Sequence, residues 1–263
     1  MAVPAAAARI VIGSTVFRAV AVPSGASTAL RVTCARGYLA VSGGVHAPAP
    51  GVATLGIRPV GLRAYSFHFG NATSSNARVT AAVACRKIPA VTVRSPFLRL
   101  TLVKSKMVSI APGAQKAVSL PCPDGTLAGG SGFDVDSGAL SARRRTQTLR
   151  VFTLSVRNMG TTRGSAGLYG GCLTLVRPPG AGKQRLQVTV LTSTTPIRPG
   201  PQVVVQRCPR GWFSLSTGYA LPAGLRVGGS AATADGGRWT LTSTAAAQVL
   251  ADLQLVCGRL VSS

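Results

Sequence analysis

Apolar and polar residues alternate with a period of two along most of the chain. The stretches "VFRAVAV" (16–22), "LRAYSFHF" (62–69), "ARVTAAVA" (77–84), "LRVFTLSV" (149–156) and "RLQVTVLT" (185–192) are examples. Side chains on a strand point to opposite faces in turn, so this pattern predicts strands with one face buried. Clusters of Gly, Pro, Ser and Asn separate the runs and mark turns. No segment sustains a helical period with a cap. Two stretches come nearest, "SGALSARRRTQTLRVF" (137–152) and "STAAAQVLADLQLV" (243–256). The second falls in register with "NARVTAAVAC" (76–85) and is therefore read as a strand. The chain is predicted to be all-β, and its many short strands with regular turns suggest a sandwich or barrel.

One phrase is written three times: "TCARGYLAVSGGVHAP" (33–48), "PCPDGTLAGGSGFDVD" (121–136) and "RCPRGWFSLSTGYALP" (207–222). The six cysteines, Cys34, Cys85, Cys122, Cys172, Cys208 and Cys257, form consecutive pairs 51, 50 and 49 residues apart. A fixed internal period is the signature of a repeat architecture. Other positions follow the same register. Gly37, Gly125 and Gly211 stand three residues after each first cysteine, and Gly44, Gly132 and Gly218 ten residues after it. Turns at Pro23, Pro112 and Pro199 precede the phrase. Asn71, Asn158 and Ser243 stand fourteen residues before each second cysteine. Ahead of these lie Phe67 and Phe69, Leu154 and Val156, and Trp239 and Leu241, two apart in every copy, as one buried strand face requires.

These positions divide the chain into three repeats, 1–89, 90–178 and 179–263. At such a size one core is marginal and a covalent staple helps. A bridge closing some 50 residues contributes on the order of 4 kcal/mol in the chain-entropy model. One disulfide within each repeat is expected, with free buried cysteines as the competing reading; zinc is disfavoured because no C-x-x-C or Cys/His spacing exists. The arrangement resembles immunoglobulin-like domains, in which a disulfide links strands of two packed sheets. That resemblance implies three tandem Ig-like β-sandwich repeats. The antibody-type Trp after the first cysteine is absent, as is the Tyr two residues before the second.

Charge changes the picture of what such a scaffold would meet. The chain carries 29 Lys and Arg against five acids, all Asp, for a formal net charge of +24. Cut at residues 90 and 180, the segments hold 9 basic and no acidic residues, then 12 and 3, then 8 and 2. The charge is therefore spread over strands rather than gathered in a nucleic-acid-binding arm. Such a surface is drawn to anionic partners. No run of 18 apolar residues predicts a membrane-spanning helix. The opening "MAVPAAAARIVIGSTVF" is interrupted by Pro4, Arg9 and Arg18, lacks the regions of a signal peptide, and is read as mature structure.

Candidate chemistry is sparse. The histidines are His46, read as a loop residue, and His68, read as facing outward between Phe67 and Phe69. No nucleophile elbow, phosphate loop or carboxylate pair is present, so no catalytic residue, cofactor or metal is assigned. "FDVDSG" (133–138) hints at a calcium loop but lacks the downstream Glu, and reads first as a turn. "NAT" (71–73) spells a glycosylation sequon, yet Asn71 aligns with Asn158, where none exists, so both read as turn residues. The densest basic run is Arg143, Arg144 and Arg145 in "SARRRTQ". It reads either as a solvated loop or as an anchor for an acidic partner or phosphate. Trp212, in the place of Tyr38 and Thr126, is the remaining contact candidate.

Cysteine-bracketed β-repeats of this kind also resemble those of phage decoration, tail and fibre proteins and of bacterial surface proteins. That resemblance implies a non-enzymatic virion subunit, homo-oligomeric or lattice-bound, docking through its basic surface onto acidic neighbouring subunits. A virion protein meets oxidising surroundings, where disulfides persist. The alternatives are an extracellular or cell-surface adhesion module binding anionic glycans and, third, a nucleic-acid-binding protein. Aromatics interleaved with Arg, which base stacking would want, are scarce.

Overall fold

The computed structural model describes residues 11–87, 97–177, 179 and 184–262. The boundary expected at 89/90 lies outside these residues, as does residue 178 of the boundary expected at 178/179. The described residues form nineteen strands and no helix.

Six strands follow one another around the first cysteine pair: β1 (Ile12–Val22), β2 (Ser27–Thr33), β3 (Leu39–Ala47), β4 (Val52–Pro59), β5 (Ala64–Asn71) and β6 (Ala77–Lys87). β6 lies between β1 and β3, and β5 lies between β2 and β4, all antiparallel. Around the second pair come β7 (Phe97–Lys104), β8 (Val108–Ile110), β9 (Gln115–Pro121), β10 (Leu127–Val135), β11 (Leu140–Gln147), β12 (Val151–Asn158) and β13 (Gly164–Val176). Around the third come β14 (Gln184–Ile197), β15 (Gly200–Arg207), β16 (Phe213–Ala220), β17 (Leu225–Ala232), β18 (Gly236–Ser243) and β19 (Val249–Ser262). The same pairing recurs, with β7 and β8 together in the place of one first strand, so that each copy has six strand positions: β13 lies between β7 with β8 and β10, and β12 between β9 and β11; β19 lies between β14 and β16, and β18 between β15 and β17.

The disulfides join Cys34 to Cys85, Cys122 to Cys172 and Cys208 to Cys257, with no free cysteine among the described residues. Each first cysteine follows the second strand of its copy and each partner lies in the last strand, so every bridge ties one three-stranded unit to the other. The Gly three residues on adopts φ of 84° at Gly37, 73° at Gly125 and 81° at Gly211. This left-handed turn is open to glycine at no steric cost, which explains why all three copies keep it.

The sheets run from one copy into the next. β4 pairs with β10, merging strands of the first two copies into one seven-stranded sheet. β11 pairs with β16, merging strands of the second and third into a six-stranded sheet. At the remaining seam β17 packs against β3. The copies therefore close head to tail into a ring, with the fourth strand of each against the third strand of the next. A glycine at the same place in the third strand of each copy permits this approach. A Cβ on Gly132 would stand 1.9 Å from the carbonyl oxygen of Ile57, on Gly218 2.5 Å from that of Arg145, and on Gly44 2.0 Å from that of Ser230. Ile57, Arg145 and Ser230 each lie five residues into the fourth strand of their copy, so this close contact falls at the same position in all three seams.

Burial follows the ring. Tyr65, Phe67, Phe69, Phe152, Leu154, Trp239 and Leu241 are fully buried, as the two-apart pattern predicts. One apolar cluster draws Val41 and Ala84 from the first copy, Leu100 and Leu173 from the second, and Phe213, Leu215 and Val256 from the third. Such a shared core means that the copies fold around one another.

Replacing Gly132 by Ala is expected to cost about 2–4 kcal/mol, because backbone must move to admit the methyl group. Gly138→Ala, whose Cβ would meet only Ala53 at 3.6 Å, should leave the denaturant midpoint nearly unchanged. Removing the Cys122–Cys172 bridge by a double Ser substitution should cost on the order of 4 kcal/mol in the same measurement.

Candidate partner-binding surface

With 29 cationic side chains and five carboxylates, most cations must find something other than an acid. Among the described residues three ion pairs form: Arg58 with Asp134 at 3.2 Å, Arg150 with Asp124, and Arg207 with Asp235 at 4.0 Å. All are solvent-exposed on at least one side and contribute little to stability.

Two groups of basic side chains emerge. The first is turned inward and binds backbone. Arg86, fully buried in β6, donates from Nε to the carbonyl of Ser214 at 2.8 Å and from Nη1 to those of Ser14 and Cys85. Its Nη2 reaches the Ser214 hydroxyl and the carbonyl of Thr233 at 2.7 Å. Desolvation pushes its pKa down to about 10, with Asp235 opposing, so the group stays charged at neutral pH. The result is a clip between the first and third copies. Arg143 does the same between the second and third, donating to the carbonyls of Pro222 and Leu225.

The basic run "SARRRTQ" is thus part of strand β11 rather than a solvated loop. Alternation sends its members to different places. Arg144 is exposed, Arg143 is half-buried, and Arg145 is 2% exposed and faces Tyr219 across the seam, its guanidinium 5.6 Å from the ring centroid. Of the three, Arg144 alone is displayed to solvent. Trp212 precedes β16, half-buried, with the Arg259 guanidinium 4.6 Å from its ring centroid, a cation–π contact that fixes its face. Neither buried arginine announces itself in the sequence, since "ACRK" and "RRRT" look like any solvated cations.

The second group faces outward. Arg18, Arg31, Arg36, Arg63, Arg78, Arg99, Lys104, Lys106, Lys116, Arg157, Arg163, Arg198, Arg210 and Arg226 are exposed and make no ion pair among the described residues. They lie on all three copies. Near the junction of the first two copies, Tyr38, Leu62, Arg63, Lys87 and Phe97 line an open cleft of about 290 Å³, where the Lys87 ammonium sits 5.6 Å from the Tyr38 ring centroid. A smaller cleft of about 140 Å³ recurs at the corresponding place in the second copy, lined by Gly125, Leu127, Arg177 and Arg185. Apolar floors with cationic rims suit acidic segments that carry an apolar anchor.

Other candidates are absorbed by the fold. Asn71, 3% exposed, donates both amide hydrogens, to the carbonyls of Val22 and Ser75, leaving none for a glycan. Asn158 does the same to Ile110 and Thr162. Asp134 is held by Arg58 and the Tyr169 hydroxyl, and Asp136 by the amide and hydroxyl of Ser165. No group of three or more His, Cys, Asp or Glu side chains comes together among the described residues. His46 lies on strand β3 rather than in a loop, its ring 4.6 Å from that of Phe17; burial, then Arg238, pulls its pKa below the usual histidine value. His68 is half-buried on β5, beside Phe67 and Phe69.

Arg86→Met should destabilise the protein by about 3 kcal/mol or more, because it strands several buried carbonyls without donors. Arg36→Met, at an exposed turn, should fall within about 0.5 kcal/mol of wild type in the same unfolding measurement.

The chain was compared with protein-family models and none matches; a comparison with curated proteins likewise found no significant match.

Proposed function

We propose that the protein is a non-enzymatic structural subunit that cements a larger assembly, a virion in the first instance, by docking its basic faces onto acidic neighbours. The observation that carries this reading is the closed ring. Three copies meet through the same close glycine–carbonyl contact, and each bears exposed cations that make no ion pair among the described residues. An object of that kind fits a place where three like subunits meet. Charge complementarity of this sort steers association and sets its register more than it adds affinity.

Each copy is then a six-stranded unit of the Ig-like kind, its bridge joining the strand that ends before the first cysteine to the last strand. The three disulfides point to an oxidising environment, in keeping with an extracellular particle or surface. No helix among the described residues is long and apolar enough to cross a membrane. Arg144 and the cleft-lining Arg63 and Lys87 are the cations assigned to the partner, with Trp212, half-buried beside the Arg259 guanidinium, as the aromatic contact.

Cross-linking mass spectrometry on particles purified from the native source tests this. Cross-links should run from lysines of this chain, Lys87, Lys104 and Lys116 among them, to an acidic particle subunit, and binding should weaken steeply with added salt. Recovery of the protein with cell envelopes and not with particles would favour the glycan-binding reading instead.

A further inference from the structure

The two fully buried arginines differ in one respect that bears on a ligand. Arg86 donates to protein oxygens from Nε, Nη1 and Nη2 alike. Among the described residues Arg145 donates from Nη2 alone, to the carbonyl of Thr217 at 3.2 Å and the hydroxyl of Ser230 at 2.7 Å. Its Nε is buried and has no partner among the described residues, and neither has the buried hydroxyl of Thr217, the residue whose carbonyl it binds.

The surroundings make this costly. Arg145 stands in a row of side chains running Leu154, Arg145, Tyr219, Leu253 across four strands. The equivalent row at the first seam runs Phe67, Ile57, Phe133, Leu168, so the guanidinium occupies the place of an isoleucine. An arginine does not give up its proton inside a protein. Burial raises the pKa of Tyr65 and of Tyr219, the Arg145 charge opposing only in part, so neither phenol ionises to balance it. No ion pair joins Arg145 to a carboxylate among the described residues. A buried charge without a counter-ion is strongly destabilising, whereas the same charge with one is tolerated.

We propose that Arg145 and Thr217 bind a small monovalent anion, chloride in ordinary buffers, at the seam between the second and third copies. The Nε hydrogen of Arg145 and the hydroxyl of Thr217 are its donors, and Tyr219 shields it from solvent. Enclosure among buried side chains selects a single-atom ion over sulfate or phosphate. The site is independent of the assembly reading: it concerns the interior of the ring and stands or falls without any partner.

The test uses the full chain with its disulfides intact. Crystals grown in sodium bromide should show an anomalous peak beside the Arg145 guanidinium. In solution, sodium bromide or chloride should raise the melting temperature above that in sodium gluconate at equal ionic strength, by about 5 °C when the site is saturated. The halide-specific increment should vanish in Arg145→Met and persist in Arg144→Met, whose cation is exposed. Should Arg145→Met not fold, Thr217→Val supplies the same comparison. A peak refining as water, equal melting in halide and gluconate, or an increment surviving in both seam variants would overturn the site.

Discussion

Everything in this molecule depends on how closely two backbones can approach. At each seam the third strand of one copy lies against the fourth strand of its neighbour, and a glycine of the third strand faces a carbonyl oxygen there. Gly44 meets Ser230, Gly132 meets Ile57 and Gly218 meets Arg145. With a side chain at any of these points the strands would separate and the intercopy sheets could not form. Because the contact is made three times, the chain closes on itself. Closure in turn buries the apolar cluster that draws on all three copies. The disulfides act within copies and the glycines between them, and the two constraints together leave little freedom in the ring.

Charge is handled in keeping with that geometry. A protein with five carboxylates cannot neutralise its arginines in pairs, so it uses backbone carbonyls where arginines are buried. Arg86 and Arg143 exploit strand ends and turns of the third copy, where carbonyls are not already spent on ladders. Carbonyl dipoles satisfy hydrogen-bond donors without supplying net charge, which is why Arg145, with fewer of them, stands out. The cations left outside are a surface property, and they define what the ring can meet.

Much of the fold was legible from pattern alone. Alternation located the strands, the three cysteine pairs emerged from spacing, and the two-apart apolar residues proved to be core at Phe67, Phe69, Leu154, Val156, Trp239 and Leu241. The recurring Gly37, Gly125 and Gly211 were legible as a repeat, and the structure places each in a left-handed turn. The candidate surface was less legible. "SARRRTQ" reads as a loop because three adjacent cations suggest solvent, yet a strand can send alternate members inward and outward. His46 reads as a loop residue because of its Gly and Pro neighbours, although β3 runs on through it to Ala47.

What the amino-acid sequence determined by itself is local and periodic: strands, turns and the cross-links each copy makes within itself. These follow from short-range sterics, from alternation and from chain entropy, all of which act within some 50 residues. Tertiary structure alone decided that the copies share sheets, that Gly44, Gly132 and Gly218 exist for a neighbour's carbonyl, and that Arg86 and Arg145 point inward. The physical reason is that a residue's partner across a seam lies far along the chain. Ser214 is 128 residues from the Arg86 that binds it, and no periodicity in the sequence encodes that distance.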